Sequence, residues 1–177
     1  PAGEVANPVT LYPAESKAKK SQAKRSKPVA LNTLKIGDSI SPATAPDVEK
    51  KPFSIQCEVD AKGASGVIVS HGGSAIGYAL YVKEQRAVFA IRHGKEITRA
   101  TSGPLPEGKV KIEASLGEGG AMSLQVGGSE PATAKAPGLL GKQPSEDFDL
   151  GFDAKNTVDD YDGMHKFTGS ILNLVIE

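Results

Sequence analysis

Carboxylates are the first candidates for chemistry in this sequence. Glu146, Asp147, Asp149, Asp153, Asp159, Asp160 and Asp162 fall within 17 residues. Like charges this close repel unless they spread into solvent or gather on a cation. Asp153, Asp159 and Asp160 are therefore candidate ligands for Ca2+, although their spacing is not that of an EF-hand. The alternative is that these aspartates bond nearby backbone N–H groups in turns. Aromatic rings that could stack on a sugar are few, and Tyr81, Phe152 and Tyr161 are the candidates. Elsewhere the chemistry is thin. Glu113 has Ser115 and Gly117 at i+2 and i+4, so the strand lacks the paired carboxylates of a glycoside hydrolase. His71, His93 and His165 are too scattered for a metal set or a triad. Cys57 is the only cysteine, which excludes an internal disulfide and a cysteine-rich zinc site. It runs in phase with Phe53, Ile55 and Val59, as a buried strand residue would.

The elements that must position these residues are strands. Phe53, Ile55, Cys57 and Val59 alternate with polar residues, as do Val110, Ile112, Ala114 and Leu116, and then Met122, Leu124 and Val126. Period-2 alternation predicts strands with one wet face. Segments 66–70, 78–82, 87–91 and 171–176 are more continuously apolar, which predicts inner strands covered on both faces. Polar, Gly-bearing stretches such as 62–66, 92–95 and 116–120 fall where hairpin turns are needed. Gly117-Glu118-Gly119-Gly120 precedes no helix, so it reads as a hairpin and not as a phosphate cradle. No segment holds a helical period. The fold class expected is all-β: a two-sheet antiparallel sandwich over residues 29–177, behind an irregular basic segment over 1–28.

That leading segment carries Lys17, Lys19, Lys20, Lys24, Arg25 and Lys27 without apolar periodicity, as a linker would. The whole chain has no net charge, and aromatics make up only 5% of it. The low aromatic content weakens any broad stacking platform for sugars or for single-stranded nucleic acid; the alternative for the basic segment is a tether for nucleic acid or an anionic glycan, but no nucleic-acid partner is expected. No stretch is long and apolar enough for a membrane helix. The sequence starts at Pro1, so it reads as a piece of something longer.

Four pieces from about Pro52 onward carry a resemblance. They are Gly66-Val67-Ile68-Val69-Ser70-His71-Gly72-Gly73, Gly77-Tyr78-Ala79-Leu80-Tyr81-Val82-Lys83, Pro104-Leu105-Pro106-Glu107-Gly108-Lys109-Val110-Lys111 and Asp149-Leu150-Gly151-Phe152-Asp153. The last is followed by Val158-Asp159-Asp160-Tyr161 and Phe167-Thr168-Gly169-Ser170-Ile171. In this order they resemble the C-terminal laminin-G/concanavalin A-like jelly-roll domain of bacterial arylsulfatases. The sequence departs from that pattern at Val126-Gly127-Gly128, where those domains often carry an Asp-Gly turn.

The resemblance implies a non-catalytic accessory domain of an exported bacterial hydrolase. Its partners would be a sulfatase catalytic domain and polysaccharide, and jelly rolls of this kind sometimes hold Ca2+ at a loop rim. The sulfatase nucleophile itself is not here, since Cys57 is followed by Glu58-Val59-Asp60-Ala61 instead of x-Pro-x-Arg. Two rivals stand beside this reading: a self-standing carbohydrate-active enzyme on the same fold, and a structural adhesion domain. A sugar binder needs an exposed aromatic beside carboxylates or amides, whereas a docking domain needs an exposed apolar patch. Residues 14–27 offer almost no apolar surface, so limited trypsin digestion is expected to cut there first and leave a stable core. Cleavage in the core hairpins while that segment stayed intact would refute the linker assignment.

Overall fold

Alternating side chains build two sheets. The computed structural model describes residues 28–177; the basic segment read as a linker lies outside the described residues up to Lys27. Eleven strands follow: β1 Ser39–Ile40, β2 Phe53–Asp60, β3 Gly66–Gly72, β4 Ile76–Lys83, β5 Arg86–His93, β6 Glu96–Pro104, β7 Lys109–Leu116, β8 Ala121–Val126, β9 Ala132–Lys135, β10 Phe148–Leu150 and β11 Ile171–Ile176. One sheet has six strands in the order β1-β10-β3-β4-β5-β6, and the other has five in the order β11-β2-β7-β8-β9. Every pairing within them is antiparallel. The described helix is limited to 3-10 turns at Leu31–Thr33 and Glu118–Gly120. Among the described residues no helix is long and apolar enough to cross a membrane.

The five-stranded sheet follows the alternation closely. Phe53, Ile55, Cys57 and Val59 point inward with Val110, Ile112, Ala114 and Leu116 and with Met122, Leu124 and Val126. The outward rows match across strands, with Gln56 opposite Glu113 and Glu113 opposite Gln125. Glu58 faces Lys111 and Asp60 faces Lys109, pairs of opposite charge that favour this register. Phe53 meets Tyr78 and Phe89 of the other sheet at centroid distances of 4.8 and 6.3 Å. The core is thus locked between sheets by aromatic edges as well as by buried area. Cys57 is 2% exposed, and burial pushes its thiol up to about 12, so it stays protonated and inert at neutral pH.

β3, β4 and β5 occupy the middle of the six-stranded sheet and are buried on both faces, as their apolar runs imply. A bulge between Val67 and Val69 turns Ile68 and Val69 both into the core. His71 follows on the inner face. It lies opposite Tyr78, with ring centroids 5.5 Å apart, and 5.9 Å from Phe148. Among the described residues neither His71 nitrogen nor the Tyr78 hydroxyl has a hydrogen-bond partner. Burial lowers the His71 pKa to about 4 and pushes the Tyr78 hydroxyl up.

The last strand departs from expectation. Among the described residues β11 is an edge strand, paired only with β2, and it leaves Leu172 and Val175 exposed. Its register shifts between these two residues, where Asn173 adopts φ 53°. Such a break blunts a bare edge against further pairing. Gly169 opens this strand where a Cβ would stand 2.6 Å from the Asp60 carbonyl oxygen, so the close approach requires glycine.

The β4–β5 turn places Glu84 and Gln85 at φ 51° and 61°. Asn and Gly tolerate this left-handed region far better than Glu and Gln. Combining Glu84→Asn with Gln85→Gly is expected to stabilise the fold by about 1 kcal/mol, raising Tm by roughly 2–4 °C. A melting curve that stays put or moves down would contradict this turn geometry.

Candidate functional site

The outer face of the six-stranded sheet carries a row of residues in register: Ser70 on β3, Ala79 on β4, Ala90 on β5 and Arg99 on β6. Residues 152–166, here called the strap, lie across this row on the way from β10 to β11. Each member of the row meets the strap differently. Ser70 Oγ donates to the Phe152 carbonyl at 3.0 Å. The two alanines leave room for Val158, which is fully buried in a cluster with Val67, Tyr81 and Val88. Arg99 donates through Nε and Nη2 to Asp159 at 2.7 and 2.5 Å. Arg92 adds a bond from Nη1 to the Val158 carbonyl at 3.0 Å.

Two tyrosines stand where strap and sheet meet. Tyr81 of β4 donates its hydroxyl to Asp159 Oδ2 at 2.7 Å. Tyr161 of the strap donates to Asp153 Oδ2, which also accepts the Val158 N–H at 2.9 Å. The rings lie 4.8 Å apart at 57°. Burial, and then the neighbouring carboxylate, pushes both phenol pKa values up, so both hydroxyls remain donors.

The two carboxylates have opposite electrostatics. Burial works to raise the Asp159 pKa, but the hydrogen bonds from Arg99 and Tyr81 outweigh it and hold it below the usual range. Asp153 is 1% exposed, and burial raises it to about 6 against the bonds from Tyr161 and Val158. The charges of Asp149 and Glu146 add to that rise. Asp149 accepts from Ser39 Oγ at 2.5 Å and from the Ala154 N–H at 2.8 Å.

Beside the tyrosines a pocket of about 330 Å3 opens between the strap and the adjoining ends of β3 and β4. Val67, Tyr81 and Tyr161 form its apolar wall, and Lys83, Asp162 and His165 stand at its rim. Asp162 Oδ1 accepts the Met164 N–H at 3.2 Å.

The sequence candidates fall out unevenly. Tyr81 and Tyr161 come together, whereas Phe152 contributes its carbonyl to Ser70 and does not line the pocket. Asp153, Asp159 and Asp160 do not converge. Asp153 holds Tyr161, Asp159 holds Arg99 and Tyr81, and Asp160 is exposed, with its N–H on Asp159. No group of three or more His, Cys, Asp or Glu among the described residues is placed to hold a metal ion. Glu113 lies on the other sheet, 2.7 Å from Lys111 Nζ. The histidines are separate: His71 is in the core, His93 Nε2 lies 3.2 Å from the Leu139 carbonyl, and only His165 reaches the pocket. Arg92, Arg99 and Lys83 were not found by sequence reasoning. The available signal was a lone cation at an outward position of a strand, in a chain whose acids are concentrated elsewhere.

Asp153 and His71 impose opposite pH dependences. Folding keeps Asp153 protonated between its ordinary value and about 6, so its contribution weakens stability as pH rises through that window. Folding keeps His71 neutral down to about 4, so its contribution is lost as pH falls from its ordinary 6.5. Urea midpoints at pH 4.5 and 6.5 should therefore differ little in the native protein. Asp153→Asn is expected to make the protein more acid-sensitive, and His71→Phe to make it more stable at the lower pH. Parallel profiles for all three proteins would show that neither group is perturbed by burial.

No protein-family model matches the chain, and no curated protein matches it in sequence. Solved structures do match in shape. Domains LG4-5 of the mouse laminin α1 chain superpose with a TM-score of 0.60 at 16% identity, covering 81% of this chain and 37% of that one. The LG1-3 region of the laminin α2 chain gives 0.54 at 16% identity, covering 80% and 24%. This chain thus spans well under half the length of either laminin fragment. At this identity the likeness concerns architecture, and it agrees with the strand order and the two packed sheets: the chain has the laminin-G type of jelly-roll sandwich.

Proposed function

We propose that this protein is a non-catalytic binding module that contacts glycans through the pocket between the strap and the ends of β3 and β4. The observation that carries the reading is the Tyr81–Tyr161 wall beside Lys83, Asp162 and His165. An apolar wall with a few polar groups at one rim suits a sugar, which has C–H faces and a hydroxyl edge. The laminin-G type of sandwich is compatible with the reading, as are the ordered sequence pieces that resemble sulfatase-appended domains. On those pieces rests the further proposal that the module sits beside a sulfatase-type catalytic domain in an exported bacterial protein.

Docking through an apolar face has less support. Among the described residues, the exposed large apolar ones are Met164, on the strap, and Leu172 and Val175, on β11. Catalysis by paired carboxylates also has less support, because Glu113 is paired with Lys111 and faces Gln125.

Labelled protein on an array of neutral and acidic glycans tests the proposal. Wild type and a Glu113→Gln control are expected to bind a common subset, and Tyr161→Ala to lose at least about tenfold in affinity for it, about 1.4 kcal/mol. Equal binding by Tyr161→Ala, or no binding by wild type, would overturn the assignment.

A further inference from the structure

Asp153 and Asp159 are equally buried in the strap, at 1% exposure, yet they are equipped differently. Both oxygens of Asp159 take donors, from Arg99, Tyr81 and the Asp160 N–H. Asp153 takes two donors on Oδ2, from the Tyr161 hydroxyl and the Val158 N–H, while its Oδ1 is buried with no donor among the described residues. An ionised carboxylate in that position would leave a charged oxygen desolvated and unanswered. A proton on Oδ1 removes that cost and leaves both bonds to Oδ2 in place.

The surroundings of Asp153 supply more negative charge and no cation to match it. Asp149 and Glu146 are the carboxylates that act on it, and both raise its affinity for a proton. Each is fastened where it stands. Asp149 accepts from Ser39 and from the Ala154 N–H. Glu146 accepts from Asn156 through Oε1 and lies so close to Gly73 that a Cβ there would stand 2.5 Å from its Oε2. That Oε2 is itself buried without a donor among the described residues. The neighbouring cations are engaged elsewhere. Arg99 of β6 holds Asp159 together with Tyr81 of β4, Arg92 of β5 bonds the Val158 carbonyl, and Lys155 lies 3.9 Å from Asp147. The β3–β4 turn brings Gly73, Ser74 and Ala75, none of which titrates. Asp160 and Asp162 are exposed.

We propose that Asp153 is the pin of a proton-operated latch: with a proton on Oδ1 the strap lies closed on the sheet, and loss of that proton sets a third charge against Glu146 and Asp149 and raises the population of an open strap. Opening breaks the Val158 and Tyr161 bonds to Asp153 together, so Tyr161 leaves its place beside Tyr81. The direction follows from linkage. The closed strap holds the Asp153 pKa at about 6 against an ordinary 3.8, so it binds the proton more tightly than the open one. The stabilisation is fully present below the ordinary value and is lost as pH rises through about 6. Between pH 5 and 7.5 the open population then rises about tenfold.

Amide hydrogen exchange of the whole chain at those two pH values, corrected for the intrinsic pH dependence of exchange, tests the latch. The amides of Asp153 and Val158, bonded to the Gly163 carbonyl and to Asp153 Oδ2, report opening. Their opening constants are expected to rise about tenfold, while that of Ile112 in β7 does not rise. Asp153→Asn keeps an acceptor for Tyr161 and Val158 and puts an amide where the proton would be, so it should stay closed at both pH values. Glu146→Gln, at a half-buried position, should cut the rise to about threefold or less, and it serves if the Asp153 variant fails to fold. A carboxyl carbon-13 titration should place the Asp153 midpoint near 6. Equal protection of Val158 at both pH values in the native protein, an undiminished rise in either variant, or an Asp153 midpoint at its ordinary value would each overturn the latch. No ligand enters these measurements, so their outcome is independent of the glycan reading.

Discussion

Asp159 puts a negative charge where only 1% of the residue meets water. An ionised carboxylate so placed costs several kcal/mol unless donors answer both oxygens. Arg99 supplies a two-pronged answer from β6, and Tyr81 adds a third bond from β4. The guanidinium keeps 44% of its side chain in solvent, so it retains much of its own hydration. That division makes the pair workable: one ion is desolvated and the other is not. Once Asp159 is tied to two strands, the course of the strap is set. Val158 drops onto the alanines, and Tyr161 is carried to Tyr81.

The sheet is prepared for this on its outer face. Ala79 and Ala90 are opposite each other in register, at the centre of a face that elsewhere carries Tyr81, Val88 and Val67. Larger residues at those two positions would lift Val158 and lengthen the distance from Arg99 to Asp159. Apolar burial and the ion pair therefore depend on one another, a coupling expected when neighbouring groups share one geometry. The pocket is a by-product of this seating. Its tyrosine wall is rigid because each hydroxyl is anchored, and its rim is polar because the strap turns back to solvent at Asp162.

The strand pattern was readable because it is local. Each of β2, β7 and β8 shows its two faces within eight residues, and the facing charges then agree with the pairing. β6 was not picked out, since its outer face mixes Ile97 with Arg99 and Thr101 and its inward side chains are as small as Ala100 and Ser102. β11 was taken for an inner strand because continuous apolar residues look alike at a covered centre and at an edge. Only the pairing partners distinguish the two. Tyr81 and Tyr161 could be named as candidate sugar contacts from scarcity alone, but nothing in the sequence said that they touch.

By itself, then, the sequence determined that the chain is built of amphipathic strands, that Cys57 is buried, and that a run of acids precedes the last strand. Period-2 burial and crowded charge are properties of near neighbours. The tertiary structure alone decided which acids are buried and what answers them. Asp153 and Asp159 lie six residues apart, yet one is held above its usual pKa and the other below it. The physical reason is desolvation. Its size depends on what covers a side chain, and the partners that offset it, such as Arg99 for Asp159, come from strands about sixty residues away.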